Sequence, residues 1–347
     1  MHHFINQPII GELPEQLLRF CRLSIENRRG AVLYTEPDPE HPSQSPADGE
    51  YGTLELGSIH ENEIIGLTPT PSDRPVAAID TSTIRLGELE DGSLCALRGA
   101  IVLLERKQYK YVRYGPFVFS LGNSLNVDEI PGVPAFAATP NIELLLRRVR
   151  NSLERWLQLS VCRTYGKALV LLDGSLVAGA PEGPGELGSI LEIARRSDNL
   201  VIAISKNTQL RLNGRPITVL LEQNEEPCLL NVDEQIRNQF AFPIQFLGRV
   251  FVGKLAKSGF PFRIDIDRRA SVGESVHGLK ELAGTDIMDR GYPETLRVAH
   301  ILSTFTASDV LAVQSLAAAQ FGVQLMPKIA LRRSLFGPFG TRWESRH

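Results

Sequence analysis

The chain has 347 residues, of which 43% are hydrophobic and 22% charged, and its formal net charge at pH 7 is −3. This length and apolar content are sufficient for one large domain or two smaller ones. The slightly acidic charge argues against a protein that coats nucleic acid by bulk electrostatics. The four cysteines are widely scattered and form no Cys-x-x-Cys pair, so no disulfide scaffold is predicted and a reducing compartment is expected.

Apolar stretches such as Ile101–Leu104 and Leu169–Leu172 are far too short to span a bilayer. The first residues also lack the basic and apolar regions of a signal peptide. We therefore expect a cytoplasmic protein that makes no membrane contact.

The first 72 residues are predicted to form an N-terminal extension. Apolar residues in the segment 13–27 recur with helical spacing, which predicts a helix. The segment 36–52 is rich in Pro, Asp, Glu and Ser and predicts a loop or a disordered linker. Residues 73–347 are then expected to form the main domain.

That main domain begins with a short apolar strand, Val76 to Asp80, which is followed by Thr81 and Ser82. The next two segments, 93–105 and 109–120, are rich in strand-forming residues. The intervening Arg-Lys-Gln sequence predicts a hairpin turn between them.

A long amphipathic helix is predicted from Thr139 and Pro140, as cap and first helical residue, to about Tyr165. The strand after it ends at Asp173, which precedes Gly174. An aspartate at a strand end is often only a turn former or a helix cap. Two such aspartates, Asp80 and Asp173, with a helix between them favour a pair of ligands for a hard cation.

The remaining pattern is mixed. A helix near 187–196 precedes a buried strand, Leu200–Ser205. Residues from about 207 to 270 are β-rich, and the segments 246–255 and 262–266 within them are predicted to form an antiparallel pair. Two helices, 293–304 and 307–321, follow. This order of elements predicts an α/β protein with a ribonuclease H-like mixed sheet flanked by helices, a β-rich insertion and C-terminal helices.

In the ribonuclease H-like fold, a carboxylate from the long helix completes the metal site, and here that helix carries Glu143 and Glu154. Glu154 lies beside the apolar stripe and is the preferred ligand. Glu143 lies in the first turn, where the helix dipole alone favours a glutamate. Bridging carboxylates of this kind hold the divalent ions that activate water and stabilise the leaving oxygen in phosphodiester cleavage.

The sequence resembles the NurA family of nucleases over about residues 76–340. Four motifs carry the resemblance: Ile79-Asp80-Thr81-Ser82, Leu171-Leu172-Asp173-Gly174-Ser175-Leu176, Ala203-Ile204-Ser205-Lys206 and Gly291-Tyr292-Pro293-Glu294-Thr295-Leu296-Arg297-Val298-Ala299-His300. One departure is Thr81, which occupies a position where the family often has glycine; it is expected to tighten the turn after Asp80.

The resemblance implies a ribonuclease H-like DNA nuclease that depends on Mn²⁺, with Mg²⁺ as an alternative. It implies single-strand endonuclease or 5′–3′ exonuclease activity in DNA end processing and double-strand break repair. The implied partners are DNA, a hexameric HerA-type ATPase and a second copy of the chain in a homodimer. The implied ligands are Asp80, Glu154, Asp173 and His300.

Three further residues each keep two interpretations. From its helical neighbours alone, His300 is more often a hydrogen-bonded structural residue, whereas the match to the family motif favours a metal ligand. Lys206 either holds the scissile phosphate, as a catalytic and substrate-binding residue, or is a surface lysine with a buried stem. Tyr292 either contacts substrate or packs beside the following proline.

Two other functions remain open at the level of sequence. An actin-like nucleotide-binding phosphotransferase shares the ribonuclease H-like core, but Gly-rich phosphate hairpins are not evident here. A catalytically weak interaction module is the second alternative, against which stands the retention of three acids. Arginine clusters, such as 147–150, predict either a solvated face or a phosphate contact, and the tail 331–343 is a candidate ATPase-docking element.

Overall fold

A computed structural model of the chain describes residues 15–26, 28–35, 54–57, 64–122, 142–178, 185–239 and 245–327. The helices in these ranges are α1 (Glu15–Glu26), α2 (Ile142–Thr164), α3 (Gly185–Arg196), α4 (Asp233–Gln239), α5 (Val272–Thr285), α6 (Glu294–Ser303) and α7 (Ala307–Phe321). A 3₁₀ helix, Ile217–Leu221, precedes α4. The predicted linker 36–52, the predicted cap at Thr139 and the tail 331–343 lie outside the described residues.

The strands of the main sheet are β1 (Val32–Thr35), β3 (Ile64–Gly66), β4 (Val76–Leu89), β5 (Gly92–Glu105), β6 (Gln108–Gly122), β7 (Leu169–Asp173), β9 (Leu200–Ser205), β12 (Cys228–Asn231), β14 (Gly248–Lys254), β15 (Pro261–Asp267) and β18 (Gln324–Pro327). Short strands outside it are β2 (Leu54–Leu56), β8 (Val177–Ala178), β10 (Leu210–Leu212), β11 (Arg215–Pro216), β13 (Gln245–Phe246), β16 (Met288–Asp289) and β17 (Tyr292–Pro293).

The main sheet is mixed, with the order β18-β1-β4-β7-β9-β15-β14-β12-β3 and with β5 and β6 following from β4. Strands β4, β7 and β9 run parallel at its centre, and β15 is antiparallel to β9. The sequence prediction of a ribonuclease H-like mixed sheet flanked by helices is therefore confirmed.

Helices cover both faces of the central strands, whose nearly continuous apolar sequences are explained by this double burial. Helices α1, α2 and α3 pack on one face, where Ile79 of β4 is buried. Helices α5 and α6 pack on the other face, where Ala78 is buried. Side chains alternate along a strand, so Asp80 continues the row of Ala78 towards α6, and Thr81 continues the row of Ile79 towards α2.

Strand β4 is longer than the sequence analysis predicted. A strand end at Asp80 is wrong, because β4 continues to Leu89 in pairing with β5. Strand β7, which pairs with the other edge of β4, does stop at this point, because the pairing ends at Ile79 and Leu172. Asp80 therefore lies where β4 no longer has β7 beside it. Because no turn follows Asp80, Thr81 sits in regular strand backbone, and the tighter turn expected there is also wrong.

The hairpin of β5 and β6, the antiparallel pair of β14 and β15 and the two C-terminal helices are confirmed. Helix α5 was not predicted. The segments before residue 72 contribute β1 and β3 to the main sheet, and the β-rich segment 207–270 contributes β12, β14 and β15. The domain boundary near residue 72 stays a prediction.

The segment Glu294–Phe321 has the length and mean hydropathy (1.3) of a membrane-spanning helix, which is weak evidence by itself. In the structure it is two helices, because α6 ends at Thr304 and Thr306 begins α7 with a capping box. Leu296 of α6 and Val313 of α7 are buried in separate apolar clusters against the sheet. Each helix therefore packs one side against the sheet of the domain.

Candidate metal centre

Asp80 and Asp173 occupy equivalent positions on neighbouring parallel strands. The β4–β7 register pairs Ile79 with Leu172, and each aspartate is the next residue along its strand. Since parallel strands present their carboxyl ends at the same edge, the two carboxylates lie side by side on the α6 face. The sequence prediction that both strands deliver an acid to one place agrees with this arrangement.

His300 reaches the same place from α6. Its Nδ1 lies 3.1 Å from Asp80 Oδ2, and the Asp80 side chain is 12% exposed. Ligand atoms of Asp80, Asp173 and His300 all lie within 4.8 Å of one another. Two carboxylate oxygens and one imidazole form a donor set that suits Mn²⁺ and related divalent ions. The residues present therefore fit a divalent metal.

Ser303 supports Asp80 from one turn further along α6. Its buried hydroxyl donates a hydrogen bond to Asp80 Oδ2 at 2.5 Å. Sequence analysis missed this residue. The signal was its position three residues after His300, which puts both side chains on one helical face.

Asp173 is held by the segment that follows it. Gly174 has a φ of +113°, a left-handed conformation that favours glycine, and its carbonyl accepts from Ser205 Oγ at 2.6 Å. The Lys206 ammonium donates to Asp173 Oδ2 at 2.7 Å. Burial raises the pKa of Asp173; the Lys206 ammonium opposes this shift, and the Asp80 carboxylate adds to it.

Glu154 lies at the border of this cluster. Its carboxylate accepts a hydrogen bond from Thr81 Oγ1 at 3.1 Å and one from Gln158 Nε2 at 2.9 Å. It reaches the cleft from α2, on the opposite face of the sheet from Asp80, and is not among the three grouped ligands. Its role as a metal ligand stays a prediction. Glu143 pairs with Arg85 at 2.6 Å instead, and is not among the cleft residues.

Tyr292 is buried, and its ring packs against Phe262 with 5.4 Å between centroids. The Lys206 ammonium lies 5.4 Å from the Tyr292 ring centroid. Burial is the main cause that raises the Tyr292 pKa, and the Asp173 and Asp80 carboxylates raise it further. The phenol therefore stays protonated. Tyr292 is therefore a packing residue beside the acidic cluster, and its contact with substrate stays a prediction.

A cleft opens in front of the cluster, and side chains of α2 form one wall. Polar and basic residues predominate along this wall: Arg147, Arg150, Asn151, Glu154, Arg155 and Gln158. The opposite side carries Lys206, Asn207 and Arg263. Sequence analysis gave the arginines of 147–150 two interpretations, a solvated face or a phosphate contact. In the structure, Arg147 and Arg150 line the cleft beside the acidic cluster.

The acidic cluster lies at the edge of the central parallel strands of a ribonuclease H-like mixed sheet, and its donor atoms fit a divalent ion. Residues 74–303 match the family model described as the NurA domain. The chain belongs to this family, a family of nucleases, as the sequence motifs indicated. The actin-like phosphotransferase alternative gains no support from this membership.

Solved structures with a similar fold include nucleases. The NurA nuclease from Sulfolobus solfataricus is similar over 76% of this chain and 88% of its own, with 17% identity and a TM-score of 0.51. A NurA structure with manganese covers 74% and 91%, at 10% identity and a TM-score of 0.41. Endonuclease V from Streptomyces avermitilis covers 73% and 88%, at 13% identity and a TM-score of 0.32. No curated protein sequence gives a significant match.

Proposed function

We propose that the protein is a metal-dependent deoxyribonuclease that hydrolyses phosphodiester bonds of DNA. The observation that carries the proposal is the convergence of Asp80, Asp173 and His300 within 4.8 Å in a chain of the NurA family. A bound Mn²⁺ or Mg²⁺ would activate water and stabilise the leaving oxygen. Asp80, Asp173 and His300 would hold it, and Glu154, which lines the same cleft, is the proposed fourth ligand.

The residues around the cluster supply substrate binding. Arg147, Arg150 and Arg155 along α2 place positive charge beside the metal centre, where a DNA backbone would need it. Lys206 adds a charge on the other side, next to Asp173. A polynucleotide lying along the cleft would therefore bring a phosphate to the acidic centre.

The family resemblance extends the proposal to a cellular role. The protein would process DNA ends in double-strand break repair in the cytoplasm, as a homodimer bound to a hexameric HerA-type ATPase, cutting single strands internally or from the 5′ end. The tail 331–343 is the proposed docking element. Truncation after Ala330 should weaken ATPase binding while leaving the thermal unfolding of the domain unchanged; unchanged affinity would count against the tail.

The direct experiment is cleavage of single-stranded and of 5′-labelled duplex DNA with Mn²⁺, Mg²⁺ or EDTA. We expect Asp80→Asn and Asp173→Asn to lose about 10³-fold in rate, since several kcal/mol of transition-state stabilisation come from the metal. Asp198→Asn is the matched control, because this exposed aspartate has a φ of +55°, which asparagine tolerates. Cleavage that survives EDTA, or full activity in either cluster variant, would refute the proposal. No cleavage of either DNA with either metal would instead favour a non-catalytic interaction module.

A further inference from the structure

Lys206 is placed between two groups that can each hold its ammonium. On one side the ammonium donates to Asp173 Oδ2 at 2.7 Å, and on the other the face of the Tyr292 ring lies 5.4 Å away. The Lys206 side chain is 41% exposed, so its flexible stem is free to move. The Tyr292 ring is fixed by burial and by its contact with Phe262. One partner is thus a candidate ligand and the other a rigid aromatic surface.

The same Asp173 carboxylate belongs to the cluster that fits a metal. A divalent ion would bind a carboxylate oxygen at about 2 Å, so a metal on Asp173 and the ammonium in its present position would be two adjacent cations. Two like charges at such a distance repel strongly. Lys206 and the metal therefore compete for Asp173.

We propose that Lys206 is a built-in counter-ion of the metal-free protein, which metal binding displaces from Asp173 towards the Tyr292 ring. A cation over an aromatic face is stabilised by the ring quadrupole, so the displaced ammonium keeps a partner. From there it still borders the cleft and is available to a DNA phosphate. This inference rests on the proposed metal-dependent nuclease function. It adds that the Asp173 carboxylate binds either the Lys206 ammonium or a metal ion, but not both at once.

Two measurable properties follow. In the metal-free protein, Lys206 offsets the charge of Asp173, so Lys206→Met should lower the melting temperature. In metal binding, removal of the competing cation should raise the affinity for Mn²⁺ by about tenfold, equivalent to about 1.4 kcal/mol. The added Mn²⁺ should accordingly raise the melting temperature of Lys206→Met by more than that of the unmodified protein.

The test is Mn²⁺ titration of the full chain at pH 8, read by electron paramagnetic resonance of free Mn²⁺, with melting curves in parallel. Lys257→Met is the matched control, because Lys257 also pairs with a carboxylate, Glu226, at 2.7 Å, but is not among the cleft residues. Lys206→Gln repeats the measurement with a polar side chain in case the methionine variant folds poorly. Unchanged or weaker Mn²⁺ binding in both Lys206 variants would overturn the inference.

Two further variants separate the parts of the proposal. Tyr292→Phe keeps the ring and should keep the Mn²⁺ affinity, whereas Tyr292→Leu removes the second position for the ammonium and should weaken affinity about threefold. Equal affinities in these two variants would overturn the role of the ring. Asp173→Asn should lose Mn²⁺ binding; if it does not, the proposed metal centre itself fails, which is distinct from failure of the lysine competition.

Discussion

Asp173 on β7 and Asp265 on β15 are both acids of the central sheet, the first partly buried and the second fully buried, and their partners differ. Asp265 is fully buried and binds the Arg263 guanidinium through both oxygens, at 2.8 and 2.7 Å. It also accepts the backbone N–H of Leu176 at 3.0 Å. Asp173 has Lys206 at 2.7 Å and a second acid, Asp80, beside it.

The difference separates a structural acid from a candidate catalytic one. A guanidinium fork matches both oxygens of a carboxylate and cannot be deprotonated, so Asp265 has no remaining capacity for a metal. A lysine is a single charge on a flexible stem. Asp267 repeats the structural pattern with Arg195, through two contacts of 2.6 Å. Of the aspartates on β4, β7 and β15, the two that converge are Asp80, which contacts His300, and Asp173, which contacts Lys206.

The largest expected effect on stability tests the structural side of this comparison. Asp265→Asn leaves the Arg263 charge buried without its partner, which costs about 3 kcal/mol in free energy of unfolding. Urea unfolding of the metal-free protein measures this loss. Replacing both residues, Arg263→Met with Asp265→Leu, should recover much of it; an equally large loss in the double variant would show that the ion pair is not its cause.

Asp173→Asn provides the opposite result in the same assay. Because the folded-state pKa of Asp173 is raised, the ionised carboxylate destabilises the metal-free protein once the pH rises through that pKa. Asparagine removes this penalty, so the variant should be at least as stable as the unmodified chain at pH 7, and this advantage should vanish below about pH 4. A lower free energy of unfolding at pH 7 would show that Asp173 is a structural acid like Asp265.

His300 tests the metal side of the comparison. His300→Ala should weaken Mn²⁺ affinity about a hundredfold, the upper end of what partner residues of a metal site contribute. His300→Asp should recover part of the activity with Mg²⁺, because an oxygen ligand suits the harder ion. Titration calorimetry measures the Mn²⁺ affinity, and DNA cleavage with Mg²⁺ measures the recovered activity. If His300→Ala binds Mn²⁺ as tightly as the unmodified chain, His300 is only a hydrogen-bond partner of Asp80.

A further acid, Asp309 at the start of α7, extends the comparison to pH. The Arg98 guanidinium holds the pKa of Asp309 well below its ordinary value, with contacts of 2.9 and 3.2 Å. This ion pair therefore contributes stability above about pH 4, and the contribution is lost as the pH falls further. Asp309→Asn should cost about 2 kcal/mol at pH 7 and progressively less in acid. A pH-independent difference in urea midpoints would contradict this explanation.

The sequence predicted Asp80 and Asp173 because apolar strands with terminal acids have a local signature. An acid beside apolar strand residues also occurs at Asp265, between Ile264 and Ile266, so this feature did not by itself separate the two kinds of acid. The distinguishing information is the arginine two residues earlier, Arg263, which in a strand lies on the same face as Asp265. Pairing between distant strands, such as the early end of β7 beside β4, has no such local signal.

Helix α5 was missed for a related reason. Glycine lowers helix propensity, and this helix contains Gly273, Gly278 and Gly284. At Gly284 a Cβ atom would lie 2.3 Å from the backbone carbonyl carbon of Thr70, so the glycine is required by close packing against the backbone before β4. The Ser271 and Glu274 capping box was the signal for a helix start. Tertiary packing, which the sequence does not display, outweighed the local preference.

Ser303 gives the smallest and most specific prediction. Its buried hydroxyl donates a hydrogen bond to Asp80 Oδ2, the oxygen that also faces His300 Nδ1. The same hydroxyl oxygen lies 3.0 Å from the His300 carbonyl oxygen. A neighbour that orients a ligand typically contributes about tenfold or more in metal affinity. Ser303→Ala should therefore weaken Mn²⁺ binding about tenfold with little change in unfolding midpoint, because the alanine fills almost the same volume. Ser303→Thr keeps the hydroxyl and should retain more of the affinity than Ser303→Ala. If both variants bind Mn²⁺ as the unmodified chain does, Asp80 is positioned by its strand alone, and the support from α6 is reduced to His300.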